Sequence, residues 1–239
     1  MKEVIILGGG KSIREGISLN LWNKIRDKNV WSLNYAFLTL PFLPKRELFV
    51  DRGFYKNNVD ALQALSDQGV EMVARYQDTY AAIDKIRKYQ TTKEVNGYQG
   101  KRALKTDSTP HIYVGQLGLV GTFALSLAIA EGYDTIWLLG FDFGVQSYED
   151  KDTHFYQGQI KVISSGVGNP QIYLNPDNST KIVENDKGEK IDLIKDYEVF
   201  AQEKNIHIYN VSPNSRLSYF QKISYQEFFN KIGGNDVHL

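Results

Sequence analysis

Glu3-Val4-Ile5-Ile6-Leu7-Gly8-Gly9-Gly10-Lys11-Ser12-Ile13 decides the fold. Its first five residues form an apolar, β-rich run without polar alternation, the pattern of a strand covered on both faces, and the run leads directly into three glycines. Strands covered on both faces belong to parallel sheets.

The signature repeats outward from there. Val30-Trp31-Ser32-Leu33-Asn34-Tyr35 reads as a second strand carrying Asn34 at its polar end, and Glu47-Leu48-Phe49-Val50-Asp51 as a third that ends on Asp51. A short helix through 21–25 separates the first two. Val59, Leu62 and Leu65, stopped by Gly69, predict a helix over 57–68, followed by a strand over 70–76. Residues 79–89 predict a further helix. From 90 to 113 the pattern decays into an irregular excursion, a candidate lid. A helix over 122–131, small and apolar on most faces and so buried against the sheet, stops at Gly132 and leads to a strand over 135–140. A second excursion follows, acidic at Glu149-Asp150-Lys151-Asp152, with a small hairpin expected in 159–164 and 171–174. It is too long for a plain connection, which predicts a covering insertion at about 143–190. A helix over 191–204, a strand over 206–210, the turn Ser212-Pro213-Asn214-Ser215 and a last helix over 225–232 complete the chain. Alternating strands and helices predict one domain over 1–239, a Rossmann-like, doubly wound α/β fold with a mainly parallel sheet. Its ligand is expected outside the carboxyl ends of the strands.

Composition narrows the function classes. The 239 residues are 42% hydrophobic and 23% charged, an ordinary globular profile. The 28 Lys and Arg balance 28 Asp and Glu, so no global field draws the chain to nucleic acid or to an anionic membrane. The absence of Cys removes disulfide frameworks, thiol nucleophiles and cysteine metal sites, and suits a reducing compartment. No apolar run reaches the roughly 18 residues of a membrane span, and the opening run is too short for a signal peptide, so a cytoplasmic protein is expected. The oligomeric state, monomer or homo-oligomer, stays open.

Three signals carry chemistry. A strand ending in Gly8-Gly9-Gly10 with Lys11-Ser12 at a helix start lets backbone N–H groups approach an anion, and a nucleotide phosphate is the usual guest. The spacing is neither the dinucleotide fingerprint nor a Walker loop, and the same glycines also make an ordinary tight turn. Leu139-Gly140-Phe141-Asp142-Phe143-Gly144 places a carboxylate at the tip of a central strand, a candidate catalytic group or a turn residue. Thr153-His154-Phe155-Tyr156 supplies the histidine close in sequence to that carboxylate. His111 stands beside a proline, His207 inside a strand and His238 at the end of the chain. His154 is the candidate general base, and Tyr156 and Arg216 are candidates to stabilise a leaving phosphate. The Ser212–Ser215 turn reads equally as a tight turn leading into a helix, with Ser215 as cap.

The combination resembles a known superfamily. Leu7 to Ile13, the string Gly-Tyr-x-x-Ile-x-Leu-x-Gly-x-Asp-Phe from Gly132 to Phe143, and Ile208-Tyr209-Asn210-Val211-Ser212-Pro213-Asn214-Ser215-Arg216-Leu217 are similar, in that order, to the bacterial family 42 sialyltransferases and the archaeal 6-hydroxymethylpterin diphosphokinase-like (DUF115-type) proteins, a superfamily with phage members. The resemblance implies that Gly8, Gly9, Gly10, Lys11, Ser12 and Asn34 hold a nucleotide donor, CMP- or NDP-linked. It implies transfer of a sugar to the hydroxyl of a small-molecule or glycan acceptor. Asp51 stands where the sialyltransferases carry asparagine, and Leu119-Val120 where they carry serine or threonine. Gln159 follows Tyr156-Gln157-Gly158 where their general-base histidine stands, so His154 would take that role from a nearby position. The diphosphokinase branch implies ATP with magnesium, and Asp51 and Asp142 as its oxygen ligands. The expectation is a nucleotide-dependent, glycosyltransferase-like enzyme; a magnesium-dependent diphosphokinase and a non-catalytic nucleotide-binding protein are the alternatives.

Overall fold

The computed structural model of the chain describes residues 1–75, 86–89, 120–142, 154–156, 183–184, 190–191, 193–215 and 217–233. β1 (Glu3–Leu7) leads to two short helices, α1 (Ile13–Ser18) and α2 (Leu21–Ile25). Then come β2 (Val30–Leu33), a 3-10 helix (Asn34–Thr39), β3 (Arg46–Phe49), α3 (Arg52–Asp67), β4 (Glu71–Arg75) and β5 (Ile86–Tyr89). The second half contributes α4 (Val120–Ala130), β6 (Thr135–Leu139), the short antiparallel pair β7 (Val183–Glu184) and β8 (Lys190–Ile191), α5 (Leu193–Glu203), β9 (His207–Asn210), β10 (Gln221–Lys222) and α6 (Tyr225–Gly233). Among the described residues eight strands share one sheet in the order β10-β9-β6-β1-β2-β3-β4-β5, and every neighbouring pair is parallel. The fold is the expected doubly wound α/β class.

Period-two alternation gives the sheet two apolar faces. Val4, Ile6, Trp31, Leu33, Leu48, Val73, Ile136 and Leu138 share a core with α4 and with Tyr197 and Ala201 of α5. Ile5, Leu7, Val30, Trp137 and Leu139 share the other with α1, α2, α6 and the segment Phe155-Tyr156, and Phe49, Met72 and Ala74 extend that side against α3. α4 is buried from Thr122 through Ile129, as its uniform apolarity predicts. β1 to β5 step outward in one direction, whereas β6, β9 and β10 lie on the other side of β1. The strand order therefore reverses between β1 and β6, and the crevice outside their carboxyl ends is where such a sheet receives a ligand.

Several elements depart from the expectation. The second strand stops at Leu33 because Asn34 takes a left-handed φ of 51° and opens the 3-10 helix. α3 starts at Arg52 rather than 57 because Asp51 caps it, its carboxylate accepting from the amides of Gly53 at 2.6 Å and Phe54 at 3.0 Å. Within the helix expected over 79–89, residues 86–89 are instead β5, in register with β4 (Met72 opposite Ile86); 79–85 lie outside the described residues. Backbone pairing with the exposed edge of β4 has overridden the helical spacing. β10 was not anticipated. The Ser212–Ser215 turn leads into no helix: α6 begins at Tyr225, opened by Ser224 and Glu227, which bond each other's backbone amides in a capping box. The candidate lid over 90–113 and the hairpin expected in 159–174 lie outside the described residues. Among the described residues no helix is long and apolar enough to cross a membrane.

Candidate functional site

The glycine turn is bonded to the end of β6. Gly8 N–H donates to Leu139 O at 2.8 Å and Gly10 N–H to Gly140 O at 3.0 Å. A Cβ on Gly10 would fall 2.5 Å from Gly140 O and 2.6 Å from the Asp142 carboxyl, so the approach of the two strand tips requires glycine there.

Over this turn lies a short covering segment, His154-Phe155-Tyr156, a single bridge residue followed by a turn. His154 is the antiparallel bridge partner of Gly10, and Phe155 N–H donates to Gly9 O at 3.0 Å. Arg14 of α1 ties down this segment, Nη2 donating to His154 O at 3.1 Å and Nε to Phe155 O at 3.4 Å. A Cβ on Gly9 would meet His154 Cδ2 at 2.7 Å and the Tyr156 hydroxyl at 2.9 Å. The missing side chain at Gly9 thus makes room for the protein's own imidazole and phenol. Those two rings lie 5.1 Å apart and nearly parallel. Phe155 is buried against Trp22, and Tyr156 packs 6.3 Å from Tyr35.

Asp142 clamps the start of α1. One carboxylate oxygen accepts the Ser12 N–H at 2.8 Å and the other the Ser12 hydroxyl at 2.5 Å, and that hydroxyl lies 2.8 Å from the hydroxyl of Ser212. The Ser212–Ser215 turn braces the same strand tip: Ser215 Oγ donates to Phe141 O at 2.6 Å, and Asn210 Nδ2 to the same carbonyl at 3.3 Å. Lys222 Nζ in turn donates to Ser215 O at 2.6 Å.

Burial sets the protonation states. It pushes the His154 imidazole below its ordinary value, and the nearby Asp142 charge opposes it in part, so the ring is neutral at physiological pH and able to accept a proton. Burial pushes the Tyr156 and Tyr225 phenols well up, and both stay protonated.

Of the sequence candidates, Gly8, Gly9, Gly10, Ser12, Asp142, His154 and Tyr156 therefore form one cluster. Lys11 is exposed on the turn. Asn34 keeps its Oδ1 buried without a hydrogen-bond partner. Asp51 serves α3 as its cap, and Arg216 lies outside the described residues. Among the described residues no group of three or more acidic or histidine side chains could hold a metal ion. Sequence reasoning passed over Arg14. Ser212 stood in a turn that read equally as part of the resemblance and as a helix entrance, and the structure sets its hydroxyl beside that of Ser12.

No protein-family model matches the chain, and no curated protein matches it. Two solved structures are similar. One is a MAf glycosyltransferase from Magnetospirillum magneticum AMB-1, at a TM-score of 0.53 and 15% identity over 94% of this chain and 34% of that one. The other is the sialyltransferase CstII from Campylobacter jejuni, in complex with the substrate analogue cytidine-5'-monophosphate, at a TM-score of 0.47 and 16% identity over 92% of this chain and 84% of that one. The first likeness establishes a shared fold with a glycosyltransferase, of which this chain spans about a third of the length.

Proposed function

We propose that the chain is a nucleotide-dependent, glycosyltransferase-like enzyme that moves a sugar from a CMP- or NDP-linked donor to the hydroxyl of a small-molecule or glycan acceptor. The observation that carries the reading is the seating of His154, a half-buried neutral imidazole, on the glycine turn at the reversal point of the sheet. In the proposed step His154 takes the acceptor proton and the freed oxygen pair forms the new bond to the sugar carbon. The sugar–phosphate bond breaks, and its electron pair leaves with the nucleotide. The Gly8, Gly10 and Ser12 amides are already taken by Leu139, Gly140 and Asp142, which leaves the Gly9 and Lys11 amides for a phosphate. The Asp142 charge disfavours an anion at the Ser12 end, so the phosphate belongs on the Lys11 side. Tyr156, a protonated phenol against Gly9, is the donor suited to the leaving oxygen.

The magnesium-dependent diphosphokinase reading is weaker, because both Asp142 oxygens are engaged by Ser12 and Asp51 caps α3. A thermal-shift screen over CMP, UDP, GDP and ATP, each with and without magnesium, separates the readings, since a ligand of the native state raises the melting temperature by mass action. We expect a shift with one of the first three that survives chelator. A shift with ATP alone that strictly requires magnesium would reverse the assignment, and no shift with any of the four would leave the chain outside nucleotide chemistry.

A further inference from the structure

The turn Ser212-Pro213-Asn214-Ser215 stands out in the sequence, and the proposed chemistry leaves it without a task. The Ser215 amide donates to Ser212 O at 2.9 Å and closes the turn, so its two serines are carried as one unit. Ser215 holds the backbone beyond β6, its hydroxyl donating to Phe141 O at 2.6 Å and lying 3.3 Å from Asp142 O. Ser212 reaches the Asp142 side chain through Ser12. It is 1% exposed, so its hydroxyl has to find its partner inside the protein.

Counting protons gives that contact a direction. A carboxylate only accepts, so in the 2.5 Å contact with Asp142 the proton comes from the Ser12 hydroxyl. That hydroxyl has no second proton, and in its 2.8 Å contact with Ser212 it is the acceptor. The order is therefore Ser212 O–H to Ser12 Oγ, and Ser12 O–H to Asp142. A hydroxyl that accepts becomes a stronger donor, so Ser212 tightens the hold of Ser12 on the carboxylate. The Ser12 amide takes the other carboxylate oxygen at 2.8 Å.

This order answers a difficulty in the site. An aspartate beside a turn that offers amides to an anion is repulsive, and Asp142 is close: a Cβ on Gly10 would stand 2.6 Å from its carboxyl. Donors on both carboxylate oxygens counter that charge where it lies. We propose that Ser212 is a positioning residue for the phosphate turn: its hydroxyl fixes the Ser12 hydroxyl on Asp142, and the carboxylate so held is screened from an anion on the Gly9 and Lys11 amides. The anion is the donor phosphate of the transferase reading, on which this role rests. Without Ser212 the Ser12 hydroxyl loses the donor that orients it, and Asp142 acts on the anion with more of its charge.

Inorganic phosphate is the probe, followed through the Gly9 and Lys11 amide resonances of the full chain. Phosphate should move both amides in the wild type, and Ser212→Ala should weaken its binding by roughly three- to tenfold, the net effect of one hydrogen bond. Asp142 and Ser12 are half-buried, so salt reaches the repulsion. Between about 0.1 M and about 1 M salt the screening length falls from about 10 Å to about 3 Å, and the affinity ratio of the two proteins should shrink toward one, which lost packing alone would not cause. With a nucleotide sugar that turns over, Ser212→Ala should raise the donor KM and leave kcat nearly unchanged. Phosphate that moves neither amide, an unchanged affinity in Ser212→Ala, or a loss of equal size at both salt concentrations overturns the proposal. If Ser212→Ala does not fold, Ser12→Ala removes the relay from its other end, and wild-type phosphate affinity there overturns it. Phosphate binding governed by Ser212 in a chain that turns over no nucleotide sugar would count against the transferase reading alone; turnover with an unmoved donor KM in Ser212→Ala would count against the role of Ser212 alone.

Discussion

Gly10 and His154 face each other across an antiparallel bridge, so the loop after β1 and a segment from the second half of the chain share one short ribbon. That bridge sets an imidazole and a phenol against a turn that has no side chains of its own.

Gly9→Ala tests the seating. The new methyl would lie 2.7 Å from His154 Cδ2 and 2.9 Å from the Tyr156 hydroxyl, too close for both rings to keep their places. We expect a folded chain by far-ultraviolet circular dichroism, a stability loss of about 1–3 kcal/mol in urea, and lost protection of the Phe155 amide. Wild-type stability together with wild-type protection would show that the covering segment does not rest on Gly9.

Asp142→Asn tests the clamp. Asparagine offers one oxygen where two accept, so one Ser12 donor would face an amide NH2, at a cost of about 1–3 kcal/mol. The Asp142 charge also holds the His154 value up against burial, so its removal should move the imidazole titration, followed by nuclear magnetic resonance, further down. An unmoved or raised titration would place the two side chains in separate environments.

The sheet was legible in the sequence because its central strands must be apolar on both faces, and β1 and β6 could be read without knowing their partners. The edge was not. Ile83 and Ile86 have helical spacing, and only the open side of β4 makes 86–89 a strand, a tertiary fact no window contains. Asn34 was legible as the polar end of a strand, but not as a left-handed residue. His154 and the glycine turn were each visible as motifs, whereas the bridge joining them is a long-range contact. Asp51 illustrates the converse case: a carboxylate at a strand end followed by a helix acts as a cap, and here it caps α3.

Asp51→Ala should therefore lower stability by about 1 kcal/mol, measured by urea unfolding, and Asp51→Ser should recover most of that loss because serine also caps. Nucleotide-induced thermal shifts should be the same in all three proteins. A selective loss of a magnesium-dependent ATP shift in both variants would return Asp51 to the site as a metal ligand and revive the diphosphokinase alternative.

His154→Gln addresses the chemistry itself. A general base contributes on the order of 10²–10⁴ in rate, and glutamine keeps much of the volume over Gly9 without a basic nitrogen. Turnover should fall by about that factor while nucleotide affinity changes little, because the turn amides proposed for the phosphate belong to Gly9 and Lys11. The pH profile adds a readout that packing alone would not move. Burial depresses the imidazole, so the wild-type rate should fall on the acid side at a pH below the ordinary histidine value of about 6.5, and the variant should lack that limb. The same depression makes protonation of His154 unfavourable in the folded chain, so its contribution to stability is fully present above the ordinary histidine value and is lost as pH falls through the folded one. Retention of the acid limb in His154→Gln would assign the titration to another group and remove His154 from the role of base.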